Sequence, residues 1–218
     1  MKSLVYVFVG GMGPRSGSYL YDRFHYEIEK QLGNYFVDSD FPDSLLITTP
    51  SMENNPYHGD YNIDLTFLQA QIELLLSQYE KIIVAPLCVT VSDVVKQACE
   101  SLGSNRVKCE TILDFIESKF PNGAALLCSQ ELANQKTHDS KNTYVQCTRI
   151  IKNYAKPHIV GLLRQIVFDV NKETDKSIVL ACTELSTISK ITTLGGVFDA
   201  PLMFVKNLVR DYIHENRR

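Results

Sequence analysis

Lys81-Ile-Ile-Val-Ala-Pro-Leu-Cys-Val-Thr90 is the stretch on which the fold turns. Its apolar, β-branched run from Lys81 to Ala85 reads as a buried strand, and a cysteine with a threonine close behind stands where that strand emerges into a turn. Ile178-Val-Leu-Ala-Cys-Thr183 repeats the arrangement late in the chain, as the end of a strand from Ser177 to Ala181. Two look-alike strand ends, each closed by a cysteine, suggest one cysteine in each half of a pseudo-symmetric molecule, facing one another across a cleft.

Outward from Lys81, the spacing of Phe67, Leu68, Ile72, Leu75, Leu76 and Tyr79 predicts a helix over about 63–79. Before it lies a polar loop, Ser51 to Asn62, holding Asn54-Asn55-Pro56 and His58-Gly59-Asp60, long enough to be functional. A second strand, Leu45 to Thr48, precedes that loop. At the start, Leu4-Val-Tyr-Val-Phe-Val9 is a β-branched and aromatic run that stops at Gly10-Gly11, and Pro14 suits the first turn of a helix running to about Leu32. Downstream the pattern predicts a short strand near Val107, another from Ala124 to Cys128, and helical segments from about Thr143 to Val170. Strands alternating with helices imply an α/β fold of parallel sheets, in which ligands gather at the carboxyl ends of the strands.

The 218 residues suffice for one large domain or two lobes, and 44% apolar with 22% charged residues is ordinary globular composition. A net charge of −3 offers no basic field for nucleic acid or an anionic membrane, and the Arg217-Arg218 end is too short to change that. No stretch approaches the roughly 18 apolar residues of a membrane span. Leu4 to Val9 leads into Gly-Gly-Met-Gly-Pro rather than a signal-peptide cleavage site. The six cysteines form no CxxC pair and have no histidine at zinc spacing, so the expectation is reduced thiols, no metal and a cytoplasmic location. The five histidines make no HExxH or similar cluster.

Cys88 and Cys182 invite a chemical reading. Inverting an amino acid at its α-carbon requires removing a proton from one face and returning one to the other, so a base and an acid must stand on opposite sides. A thiolate and a thiol can exchange those roles, because a free cysteine titrates near pH 8.5 and local amides can lower that value. Hydroxyls and backbone amides beside each thiol would hold the substrate carboxylate and stabilise the charge that develops as the carbanion forms.

Gly10-Gly-Met-Gly-Pro14, Pro86-Leu-Cys-Val-Thr90 and Cys182-Thr-Glu-Leu185 resemble, in order, the three signature segments of the aspartate/glutamate racemase superfamily. That resemblance implies two similar α/β lobes, each a parallel sheet flanked by helices, with the active site in the cleft between them. Residues 1–100 with about 199–218 would form the N-terminal lobe and about 101–198 the C-terminal lobe. It implies a homodimer that racemises an acidic amino acid such as aspartate or glutamate without pyridoxal phosphate, metal or other cofactor. Cys88 and Cys182 would be the catalytic pair; Thr90 and Thr183 would contact the substrate carboxylate; Met12 and Gly13 would border the amino-acid site; Thr48, Val89 and Ser129 complete the substrate-binding set. The chain departs from the family's Pro-Cys-Asn-Thr by an inserted Leu87 and by Val89 in place of asparagine, and the loop after Thr48 lacks the arginine of aspartate-specific members.

Two rival readings stand beside this one. A diverged relative could bind an amino acid or dicarboxylate without turning it over. A nicotinamide-dependent oxidoreductase is suggested by Gly11-Met-Gly-Pro-Arg-Ser-Gly17, although Pro14 sits where a phosphate-binding amide is wanted and the second strand ends in Thr48-Thr49-Pro50 instead of an acidic residue. Cys99, Cys109 and Cys147 read as structural, and Cys128 as a strand-end residue beside the cleft.

Overall fold

A computed structural model describes residues 2–10, 14–34, 36–48, 65–136, 138–139, 141–153, 156, 158–188 and 196–216. The first sheet contains β1 (Lys2–Gly10), β2 (Asp43–Thr48), β3 (Tyr79–Pro86) and β4 (Val107–Cys109), and the second contains β5 (Ala125–Cys128), β6 (Thr143–Gln146), β7 (Ile178–Leu180) and β8 (Val197–Asp199). The helices are α1 (Pro14–Leu32), α2 (Thr66–Leu76), α3 (Ser92–Ser101), α4 (Ile112–Lys119), α5 (Gln130–Gln135), α6 (Thr148–Ile151), α7 (Ile159–Glu173), α8 (Thr183–Ile188) and α9 (Ala200–Asn216). Among the described residues no helix is long and apolar enough to cross a membrane.

Every described strand pair is parallel, and the sheets have the same winding: β2-β1-β3-β4 and β6-β5-β7-β8. Chain direction across each sheet reverses between its two central strands, β1 and β3 in one and β5 and β7 in the other. In open parallel sheets such switch points open the crevice in which ligands bind. Cys88 follows β3 and Cys182 follows β7, so the two cysteines hold equivalent places in two like sheets.

The period of two along the strands sorts the core into three layers. Val5, Val7 and Val9 of β1, with Ile82 and Val84 of β3, face α2 and α3. Tyr6, Phe8, Ile83 and Ala85 point the other way and merge with α1, α4 and α9 and with Leu126 and Val179 of the second sheet. Ala125, Leu127, Ile178 and Leu180 turn outward to α7 and α8. The middle layer is thus common to both sheets. Phe8, Phe24 and Phe204 are wholly or almost wholly buried in it, and burying a side chain of this size contributes about 1.5–3 kcal/mol. Around Tyr6 and Phe8 the rings of Phe24, Tyr21 and Tyr212 pack edge-on or tilted. Tyr212 also donates to the carbonyl of Asp40 at 2.8 Å, and Lys81 pairs with Glu215 at 2.8 Å, which tie α9 to the first sheet.

Gly10 lies at a close approach. A Cβ there would lie 3.0 Å from the Thr48 methyl, and one on Gly17 would lie 3.2 Å from the Gly10 Cα. Two glycines therefore let α1 lie down directly over the end of β1.

Several sequence expectations are corrected. The helix expected to reach Tyr79 ends at Leu76, because Tyr79 opens β3 and its hydroxyl donates to Asp43 Oδ2 at 2.9 Å; residues 63 and 64, where that helix was expected to start, lie outside the described set. Thr143 to Gln146, expected to be helical, is instead the edge strand β6, in register with β5 through Leu126 and Tyr144. Thr143-Tyr144-Val145 has strand-forming composition, but as a half-exposed edge strand it lacks the continuous apolar run that marks β5 and β7. The other edge strand, β8, is likewise partly exposed and is placed by pairing with β7, Ile178 against Val197. The short strand expected near Val107 is β4, which pairs in parallel with β3 at the edge of the first sheet.

Candidate active site

Cys88 follows the end of β3 and leads into a single tight turn, Val89–Val91, before α3 begins. Its carbonyl accepts from the Ser92 hydroxyl at 3.2 Å and from the Val91 amide at 3.3 Å, so the start of α3 fixes the turn. Cys182 follows β7, and its carbonyl accepts from the Leu185 and Ser186 amides at 3.1 and 3.3 Å as α8 winds up. The cysteines are 9% and 8% exposed, close to sealed yet not wholly closed off. Each packs against the outer core of its own sheet, and they lie within electrostatic range of one another.

Burial pushes the Cys182 thiol well above its ordinary pKa, and the neighbouring Glu184 carboxylate and the Cys88 sulfur push it in the same direction. The Cys182 S–H donates to Glu184 Oε2 at 2.9 Å, a bond that only the protonated sulfur can make. Thr183 Oγ1 donates to the same oxygen at 3.3 Å, and the buried Ser16 hydroxyl of α1 donates to Glu184 Oε1 at 3.1 Å. Glu184 thereby links α1, packed on the first sheet, to the cysteine turn of the second.

Thr90 and Ser129 form the second cross-link. Thr90 lies in the turn after Cys88, Ser129 follows β5 and caps α5 by accepting the Leu132 amide at 3.2 Å, and the two buried hydroxyls stand 3.3 Å apart. Thr183 is 2% exposed at the first position of α8. Thr48 ends β2 beside Gly10, exposed at the strand's carboxyl end. Val89 is 3% exposed and its side chain packs into the middle core with Leu87 and Ala85. Met12 and Gly13, and the loop that carries His58, lie outside the described residues. Cys128 is fully buried in the middle core.

Ser16 was not singled out in the sequence. Its only signal is its place in the first turn of the helix that follows the strand-end glycines, a position from which a small hydroxyl can look toward the carboxyl edge of the sheet. Among the described residues no three His, Cys, Asp or Glu side chains gather into a metal-ligand set.

By sequence, no family model matches the chain, and no curated protein matches it significantly. By structure, it is similar to an aspartate racemase homologue from Pyrococcus horikoshii at 16% identity and a TM-score of 0.71, with 98% of this chain and 100% of that one covered. It is similar to the aspartate racemase of Picrophilus torridus at 18% identity and a TM-score of 0.61, over 96% of this chain and 94% of the other. Glutamate racemase from Francisella tularensis, solved with D-glutamate, aligns at 15% identity and a TM-score of 0.60, over 99% of this chain and 82% of its own. Two parallel sheets of one winding, joined through a common core, give this chain the fold of the aspartate/glutamate racemases.

Proposed function

We propose that this chain is a cofactor-independent racemase of a small, acidic amino acid, with Cys88 and Cys182 as its two proton-transfer groups. The observation that supports the reading is the equivalent placement of the two thiols: each follows the third strand of its sheet, beside that sheet's switch point, and the Cys88 sulfur acts electrostatically on the Cys182 thiol. In one direction Cys88, as thiolate, removes the α-proton from one face while the Cys182 thiol delivers a proton to the opposite face. Glu184 favours the protonated form of Cys182, which suits it to begin as the acid. Thr183 and the Thr90–Ser129 pair stand beside the thiols, where hydroxyls can hold the substrate carboxylate and meet the charge that forms on it. The backbone at Val89, rather than its side chain, would serve in place of the polar contact. The structural relatives named for aspartate and glutamate point to a dicarboxylic substrate, and the proposed assembly is a homodimer in the cytoplasm.

The test is to incubate the purified protein with L- and D-aspartate and L- and D-glutamate in deuterated water. Deuterium is expected at the α-carbon of at least one of them together with its inversion, with inversion lost in both Cys88→Ala and Cys182→Ala. No exchange despite saturable binding of the same amino acids would favour a non-catalytic binding protein. Inversion that survives both substitutions would remove the cysteines from the mechanism.

A further inference from the structure

Outside the cleft, two other cysteines meet. Cys99 lies in the last turn of α3 and Cys109 ends β4, and both line a cavity of about 360 Å3 that also holds Lys96, Lys108 and Glu100. Cys99 is 4% exposed and Cys109 is the more open of the two. Both pack in the outer core layer of the first sheet and open onto this one cavity, and Cys109 holds the Cys99 thiol below its ordinary pKa against burial and the Glu100 charge. Cys99, together with burial, holds the Cys109 proton on. Lys96 and Lys108 bring positive charge to the cavity, although each is also paired, with Asp114 and Glu110.

We propose that Cys99 and Cys109 form a redox modification site, a dithiol that a small peroxide admitted by the cavity converts to a disulfide. The Cys99 thiolate attacks one peroxide oxygen; an S–O bond forms, the O–O bond breaks, and the leaving hydroxide takes up a proton and departs as water. The Cys109 sulfur then attacks the sulfenic acid; the S–S bond forms, the S–O bond breaks, and the Cys109 proton leaves with the second water. Both thiols are oxidised, by one electron each, and one peroxide is reduced to water.

The chain supplies its own control. Cys128 and Cys147 are also neighbours, the Cys147 amide donating to the Cys128 carbonyl at 2.7 Å. Burial pushes both of those thiols up to about 12, and they are only 0% and 2% exposed. Thiolate character and access decide cysteine oxidation, so the pair at the cavity reacts and the sealed pair does not.

Limiting hydrogen peroxide added to the full-length protein, followed by unfolding, alkylation and peptide mass mapping, tests this directly. The expected product has lost two hydrogens, carries a Cys99–Cys109 linked peptide, returns to the dithiol with a reducing agent, and leaves Cys128 and Cys147 alkylated. Cys99 is expected to be consumed at least about tenfold faster than Cys147. In Cys109→Ser, which cannot close the bridge, Cys99 is expected to be trapped by dimedone as its sulfenic acid. Recovery of both Cys99 and Cys109 as free thiols after other cysteines have oxidised, or a bridge from either to a different cysteine, overturns the proposal. The readout is covalent mass, so it stands or falls separately from the racemase activity.

Discussion

The hydroxyls of Thr90 and Ser129 meet in the buried space between the sheets, 3.3 Å apart although 39 positions separate them in the chain. Thr90 belongs to the cysteine turn of the first sheet, and Ser129 caps a helix of the second. A side chain that completes a helix start in one half thus also positions the turn that carries the catalytic candidate of the other. The Ser16–Glu184–Cys182 chain runs in the reverse direction, from α1 to the second cysteine. Each cysteine turn is therefore held in part by a residue from the other half.

Thr90→Val keeps the shape of the side chain and removes one partner of Ser129, which retains the Leu132 amide. A loss of about 1 kcal/mol is expected in urea unfolding followed by circular dichroism. Ser129→Ala removes the helix cap as well and is expected to cost roughly 1 kcal/mol more. If the pair also holds the substrate carboxylate, both variants raise KM more than they lower kcat.

Glu184→Gln tests the carboxylate beside Cys182. Burial is the first cause of the raised thiol pKa and remains, but the negative charge of Glu184 is removed, so the thiol titrates at lower pH in the variant. In the direction where Cys182 serves as the base, activity rises as the pH climbs through that pKa, and the rising limb of kcat/KM is expected to move toward acid. In the opposite direction, where the thiol is the acid, the falling limb moves the same way. An unshifted profile with simply reduced activity would assign Glu184 to holding the turn.

The middle core belongs to both sheets, so the protein is expected to unfold in one transition. Phe204→Ala, which empties a nearly sealed site between them, is expected to cost about 3–5 kcal/mol and to lower hydrogen-exchange protection in β1 and β7 together. Loss confined to one sheet would mean that the lobes fold independently.

Asp139 gives a pH signature. Burial opposes its charge, yet hydrogen bonds from Tyr144, Asn142 and the Lys141 and Asn142 amides outweigh that and hold its pKa at about 2, below the ordinary 3.8. The carboxylate's contribution to stability is then fully present above pH 3.8 and is lost as the pH falls through about 2. Asp139→Asn is expected to be less stable than the parent at pH 6, with the difference shrinking toward pH 2, as measured by thermal unfolding across that range.

The main architecture was legible from local pattern. Alternation of Tyr6 and Phe8 against Val5, Val7 and Val9 is a property of adjacent residues, and Pro14 with the glycines before it marks the start of α1 without any tertiary information. The equally short β5 and β7 are central and show as wholly apolar, buried runs, whereas β6 and β8 lie at sheet edges, are partly exposed, and are defined as strands only by hydrogen bonding to β5 and β7.

The sequence by itself determined the α/β alternation, the two strands that end in cysteine, and therefore which residues were worth testing as an acid–base pair. Tertiary structure alone decided what surrounds them. Ser16 meets Glu184 across 168 positions, and Val89, next to Cys88, is turned into the core. Secondary structure arises from forces between near neighbours, which a linear pattern records. Which hydroxyl reaches which carboxylate, and whether a side chain faces cleft or core, depends on how helices and sheets pack, and residues remote in the chain set that packing.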